Sequence, residues 1–209
     1  MKARLIGLAT LGIWLGTCLA RPARAEYTVQ EWEVMKTGEV VATEVFSTKP
    51  DGSKTTDVVV KAWIKAPREE VWAVMRDYNR FAEFFPRVRE CRTFKQEGES
   101  YWVRYHTEVL GMMVVYHLQL VGVEKFRRIV FSLDPNQPND VDDTRGFWVF
   151  DDAPDGQGTV LTYSIFIDPG LPIPDWLGRK ISKPNLVQVV KNVRSRVESG
   201  GTWKKPPGS

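Results

Sequence analysis

The chain is expected to be an α+β protein built on an antiparallel sheet, and three stretches predict this. Residues 56–66, TDVVVKAWIKA, carry apolar side chains at every second position, the period of a strand with one buried face. Between 88 and 168, short runs of the same kind follow one another, separated by Gly, Asp, Pro and Asn. Near the C-terminus, Leu186, Val189, Val190, Val193 and Val197 recur at helical spacing and form one apolar stripe.

From the N-terminus, residues 1–25 read as a cleavable export signal outside the fold. Lys2 and Arg4 give a basic start, residues 5–20 are uncharged, and Ala23-Arg24-Ala25 has the small residues of a cleavage site. The mature protein is therefore expected to begin at Glu26 and to be periplasmic or secreted. An uncleaved anchor is the alternative, although the apolar run is short for a membrane span. A lipid on Cys18 is a third option, with Thr17 a poor residue before it. The whole chain has 29 basic and 26 acidic residues; Lys2, Arg4, Arg21 and Arg24 fall in the leader, leaving 25 against 26. The basic balance belongs to the leader, so it gives no support to nucleic-acid binding.

Residues 26–209 suit one domain with a sizeable core. In 26–56, Trp32 and Val34 alternate, 39–46 reads as a strand, and Lys49-Pro50-Asp51-Gly52 is a turn signal. This predicts a hairpin that extends the sheet edge. After the strand at 56–66, Pro67 stands where a first helical residue belongs, with Glu69 and Glu70 at the positive end of the helix dipole. Val71, Val74, Met75 and Tyr78 then make an apolar helix face. Phe81, Phe84 and Phe85 form a second short apolar turn, closed by Pro86. Strands are expected at 88–96, 100–110, 112–124, 126–133, 144–151 and 158–168, joined by tight turns as an antiparallel meander. The last helix is expected from about Pro174, interrupted at Pro184, to about Ser199, with Gly200-Gly201 ending it. Residues 200–209 are expected to be a loose tail.

Two of these stretches resemble the START-like (SRPBCC, helix-grip) superfamily, nearest its coenzyme-Q-binding, polyketide-cyclase-like and lipid-transfer branches. Its opening motif is matched here by Ala66, Pro67, Val71, Trp72, Asp77, Tyr78 and Pro86. The second stretch is GFWVFDDAPDGQGTVLTYSIFIDPGLPIPDWL, which resembles the last two strands and the entry to the final helix. The resemblance covers about 57–199. It implies a helix-grip fold: a curved antiparallel sheet around a long C-terminal helix, with two short helices after the first long strand and a cavity inside. Under that reading the candidate cavity wall is Val103, Tyr105, Tyr116 and Leu118, then Ile129, Phe131 and Trp148, then Tyr163 and Ile165. Leu186, Val189 and Val190 face it from the helix. The triad Phe81, Phe84 and Phe85 is either a core corner or an entrance gate beside the cavity.

Other residues carry less chemistry. The chain has two histidines, His106 and His117. A two-residue turn at Gly111-Met112 would make them direct neighbours, able to hold a metal or act as an acid–base pair. The alternation, however, puts them with Arg104, Glu108 and Gln119 on the polar face, and so toward solvent. Asp140, Asp142 and Asp143 are possible calcium ligands, but their loop lacks the Asp-x-Asp-x-Asp-Gly pattern. It reads as a solvated loop or a lid. With Cys18 removed, Cys91 stands alone, without a disulfide or thiolate metal site. Arg89, Arg92 and Lys95 could lower its pKa, but the residue reads as a small strand side chain. No phosphate-cradling loop, Gly-x-Ser-x-Gly or His-Glu-x-x-His is present.

The leading functional expectation is a non-enzymatic carrier of a hydrophobic small molecule, such as a lipid, quinone or sterol-like compound. No cofactor, metal or nucleic acid is expected, and transient membrane contact is. The alternatives are a cyclase or dehydratase of an aromatic polyketide-like substrate, and an envelope protein-binding module with a filled core.

Overall fold

The computed structural model describes residues 27–48, 54–109, 111–170 and 175–208. The expected export signal with Cys18, the turn at 49–52 and the helix start at Pro174 lie outside the described residues. Eight strands form one sheet: β1 (Val41–Thr48), β2 (Lys54–Ile64), β3 (Val88–Glu97), β4 (Ser100–Val109), β5 (Met112–Glu124), β6 (Arg128–Leu133), β7 (Asp143–Asp152) and β8 (Thr159–Asp168). Every pairing is antiparallel, in the order β1-β2-β8-β7-β6-β5-β4-β3. The meander expected from the sequence is thus β3 to β8, and β2 closes onto its last strand. The register shifts between Val88 and Glu90, Thr93 and Lys95, and Gly122 and Glu124. Such bulges bend the sheet, here into a trough. Gly146 of β7 deepens the bend, since a Cβ there would collide with the Ser164 carbonyl and the Phe131 ring.

Helix α1 (Val29–Lys36) replaces the strand-like arm expected around Trp32. Thr28 and Glu31 form a reciprocal capping box, which satisfies two backbone N–H groups at the helix start. Trp32 and Met35, three apart, are the buried pair, while Val34 is exposed. They pack with Val160 and Ala153 on the outer face of the sheet. There Lys61 Nζ donates to Glu31 Oε1 at 2.9 Å.

Helix α2 (Arg68–Arg76) begins just after Pro67 and buries Val71, Trp72 and Met75, with Trp72 taking the place expected of Val74. A single 3-10 turn, Tyr78–Arg80, leads into helix α3 (Phe81–Phe84). Helix α4 (Asp175–Glu198) runs through Pro184 without the expected interruption. Losing one backbone bond there costs about 3 kcal/mol, and burial of Leu186, Val189, Val190, Val193 and Val197 beyond it offsets that cost. α4 lies in the trough against β2, with contacts to β8, α2 and α3.

The segment after α4 is docked, where a loose tail was expected. Lys205 N donates to the Glu83 carbonyl at 2.9 Å. Lys205 Nζ donates to the Phe85 and Val88 carbonyls at 2.7 and 2.8 Å. Asn192 Nδ2 donates to the Phe84 carbonyl at 2.8 Å. A helix end leaves carbonyls without partners, and α4 and the tail supply donors to those of α3.

Candidate functional site

The inward side of the sheet is set by strand alternation. Val103 and Tyr105 of β4 lie opposite Leu118 and Tyr116 of β5. Ile129 of β6 lies opposite Trp148 of β7, which lies opposite Tyr163 of β8. With Phe131 and Ile165, these side chains join one core, which also contains Leu186, Val189 and Val190 of α4. The structure therefore gathers the candidate wall residues on one concave face.

Rings dominate this face. Trp148 and Tyr163 stack at 3.7 Å, and Tyr105 and Tyr116 at 5.3 Å. The triad at α3 continues the wall: Phe81 stacks on Phe85 at 4.2 Å and meets Tyr105 edge-on, and Phe85 meets Trp148. Phe81 and Phe84 are each 1% exposed. The packing is that of a core corner, with all three rings buried and away from solvent.

Exposure rises along the trough toward the β4–β5 turn. Val103, Leu120 and Leu161 are fully buried, Thr107, Val114, Tyr116 and Ile165 half-buried, and Ile167 and Met112 are 47% and 57% exposed. The accessible end of the concave face therefore lies at the end of β8, beside the β4–β5 hairpin. Among the described residues, no charged side chain projects from the middle of this face. Its polar groups are hydroxyls and one thiol. Burial pushes the Tyr105 and Tyr163 hydroxyls well above the usual phenol range and Tyr116 up to about 12. Burial likewise raises the Cys91 thiol, which fits the expected small strand side chain and not the lowering that Arg89, Arg92 and Lys95 could bring. Alternation turns the neighbouring Arg92 toward the outer face, away from the sulfur. These groups stay protonated at neutral pH, so they donate hydrogen bonds but supply no base or nucleophile.

The remaining candidates lie on the outer face or in loops. The β4–β5 register pairs Val109 with Met112, not the residues a Gly111-Met112 turn would pair. His117 therefore faces Arg104, and His106 faces Val115. His117 is buried, contrary to expectation, because the loop after β6 covers it. Its Nδ1 lies 3.1 Å from the Pro138 carbonyl, and its backbone N–H donates to Asn139 Oδ1 at 2.7 Å. β6 is short, so Asn139 and Asp140 bond the β5 backbone where a strand would otherwise continue. Asp140 Oδ2 accepts from Val115 N at 2.8 Å, while Asp143 pairs with Arg145. No group of three metal-ligating side chains converges among the described residues. Thr107 and Thr144, absent from the sequence-based candidates, also face inward. Their signal was the same period of two that links them to Tyr105 and Trp148.

The fold and this wall can be set beside known proteins. A model of the family described as "Polyketide cyclase / dehydrase and lipid transport" matches residues 55–198. The chain belongs to this family. Three solved structures share its helix-grip architecture. One is a Thermus thermophilus protein, 24% identical, covering 70% of this chain and 99% of its own, with a TM-score of 0.60. A STAR-related lipid transfer protein from Xanthomonas axonopodis is 18% identical, covering 74% and 98%, with a TM-score of 0.60. The Zhui aromatase/cyclase from a Streptomyces species is 19% identical, covering 77% and 94%, with a TM-score of 0.55. No curated protein matches the chain. At these identities the similarity establishes the fold. Family and fold together suggest hydrophobic-ligand binding or cyclase-like activity.

Proposed function

We propose that this protein is an exported carrier that holds a hydrophobic small molecule between α4 and the concave face of the sheet. The carrying observation is the wall itself: aromatic and aliphatic across β4 to β8, without charge, and with hydroxyls that remain protonated. A ligand hiding roughly 400 Å² of apolar surface gains about 10 kcal/mol gross. Ordering costs remove a large part of that gain, and what remains suits reversible carriage. A cyclase would need a wall tyrosine paired with an Asp or Arg. Among the described residues, the partner of Tyr116 is Thr107, at 3.5 Å.

The β4–β5 hairpin is the proposed membrane contact. Residues 109–123 contain no Lys, Arg, Asp or Glu, and Met112 and Met113 are 57% and 50% exposed at its tip. The tip adjoins the accessible end of the trough, so a ligand leaving a bilayer there has little water to cross. Native mass spectrometry and lipid extraction of the purified protein test the carrier reading. A bound hydrophobic molecule, or uptake of a fluorescent fatty-acid probe, is expected. A protein that is consistently empty and takes up no lipid, quinone or probe overturns it. Export is tested separately: N-terminal sequencing of the mature protein should start at Glu26, and a retained Met1 or a lipid on Cys18 contradicts it.

A further inference from the structure

The outer face of the sheet carries a pocket of about 380 Å³, lined by Arg104 of β4, Val115 and His117 of β5, and Pro138, Asn139 and Asp140 of the loop after β6. That volume is in the range of small-ligand sites, and the pocket lies on the opposite side of the sheet from the trough. Backbone hydrogen bonds fix its walls. Asp134 N and Asp140 N donate to the His117 and Val115 carbonyls, each at 2.8 Å. Asn139 Oδ1 and Asp140 Oδ2 accept in turn from the His117 and Val115 amides. The His117 side chain is held inside this frame, and the residue is 6% exposed. Its Nδ1 lies 3.1 Å from the Pro138 carbonyl and 3.4 Å from Asn139 Oδ1. Both neighbours are acceptors, since Asn139 Nδ2 donates to the Asp134 and Gln137 carbonyls. In the neutral ring Nδ1 therefore carries the proton, and Nε2 is left as an acceptor.

Positive charge on this face is uncompensated. Arg104 lies directly opposite His117 on one side and Arg92 of β3 on the other, and like charges facing each other across strands repel. The acids of β3 and β4 are engaged elsewhere: Glu90 with His106, Glu97 with Lys95 and Glu108 with Arg89. Neither Arg92 nor Arg104 has an ion pair among the described residues. The pocket thus combines a guanidinium donor with two acceptors, His117 Nε2 and the Asp140 carboxylate. We infer that it binds a phosphate group that still carries a proton, either free hydrogen phosphate or the head of a phosphate monoester. The charged oxygens of such a group accept from Arg104, with Arg92 adding to the attraction, and its P–OH donates to Nε2 or to Asp140. A sulfate or carboxylate carries no proton at neutral pH and sets a bare negative oxygen against Asp140. This site goes beyond the carrier reading and does not depend on what the trough holds.

The test titrates the full mature protein at pH 7.5 with sodium phosphate, sodium sulfate and glycerol 3-phosphate at constant ionic strength. Binding is read by calorimetry and by amide NMR shifts. Hydrogen phosphate and sulfate match in shape and charge and differ by one proton, so their comparison isolates the acceptors. Phosphate is expected to bind roughly tenfold more tightly than sulfate, the worth of one charge-assisted hydrogen bond, with the largest shifts at His117, Asn139 and Asp140. Arg104→Gln should weaken phosphate by a similar factor and leave the melting temperature unchanged, because Arg104 is exposed. Asp140→Asn keeps an oxygen for the Val115 amide but loses the charged acceptor, so it should narrow the preference for phosphate over sulfate. Tighter binding of glycerol 3-phosphate than of phosphate assigns the pocket to monoesters, and weaker binding assigns it to the free ion. Equal affinities for phosphate and sulfate in the wild type, phosphate binding indifferent to Arg104→Gln, shifts confined to other surfaces, or no saturable binding of either phosphate probe overturns the inference and leaves the carrier reading intact.

Discussion

Phe84 lies 1% exposed beneath the Arg196 guanidinium, with its carbonyl held by Asn192. Its ring also meets Phe81 and Phe85 edge-on. Truncating such a side chain leaves a cavity in a packed corner, so Phe84→Ala should cost about 3–5 kcal/mol in urea unfolding. Wild-type stability combined with faster probe exchange would instead mark the ring as a gate. Beside it, Glu83 pairs with Arg196 at 2.9 Å and Lys204 at 3.5 Å. Burial raises the Glu83 pKa, but Arg196 and Lys204 outweigh it and hold the carboxyl below 4.5. A carboxylate with a depressed folded pKa stabilises the fold fully above its unfolded pKa and loses that contribution as pH falls through the folded value. Wild type should therefore exceed Glu83→Gln in stability near pH 6, and the gap should close as pH falls below 4.5. A gap that does not change with pH contradicts this.

Secondary structure is legible wherever a repeated local pattern is long enough. The six strands after Pro86 follow the period-two runs to within about two residues, because alternation is imposed by the pleat itself. α1 escapes that reading because Trp32 and Val34 imitate strand alternation over too few residues to separate the two periods. The Thr28-x-x-Glu31 capping box is the signal that corrects it. The curvature is hidden for another reason: bulges depend on pairing with a partner strand. Gly146 is where that pairing can be tested. Gly146→Ala places a methyl group against the Ser164 carbonyl and the Phe131 ring. It should destabilise the protein by about 1–3 kcal/mol in thermal unfolding, whereas Gly156→Ala, whose added Cβ meets nothing, should cost only its turn strain. Equal losses would show that β7 does not need the close approach.

The tail ties the molecule's last residues to the corner formed by α3. Deleting residues 202–209 removes the three Lys205 hydrogen bonds to Glu83, Phe85 and Val88. Backbone amides of 81–88 should then exchange hydrogen faster, while those of β5 and β6 keep their protection; unchanged exchange at 81–88 would show that the tail holds nothing. The chain's own chemistry was enough for the α+β class, the meander and the inward phase of Tyr105, Tyr116, Trp148 and Tyr163, since each depends on neighbours a few residues away. Long-range packing alone decided the rest. β2 meets β8 across roughly a hundred residues of sequence, and that pairing adds to the meander the strand against which α4 packs. The loop after β6 buries His117 only because β6 ends early, and the tail docks only because α3 leaves carbonyls unpaired. Such groups find partners when distant segments meet, and no local pattern records which segments will.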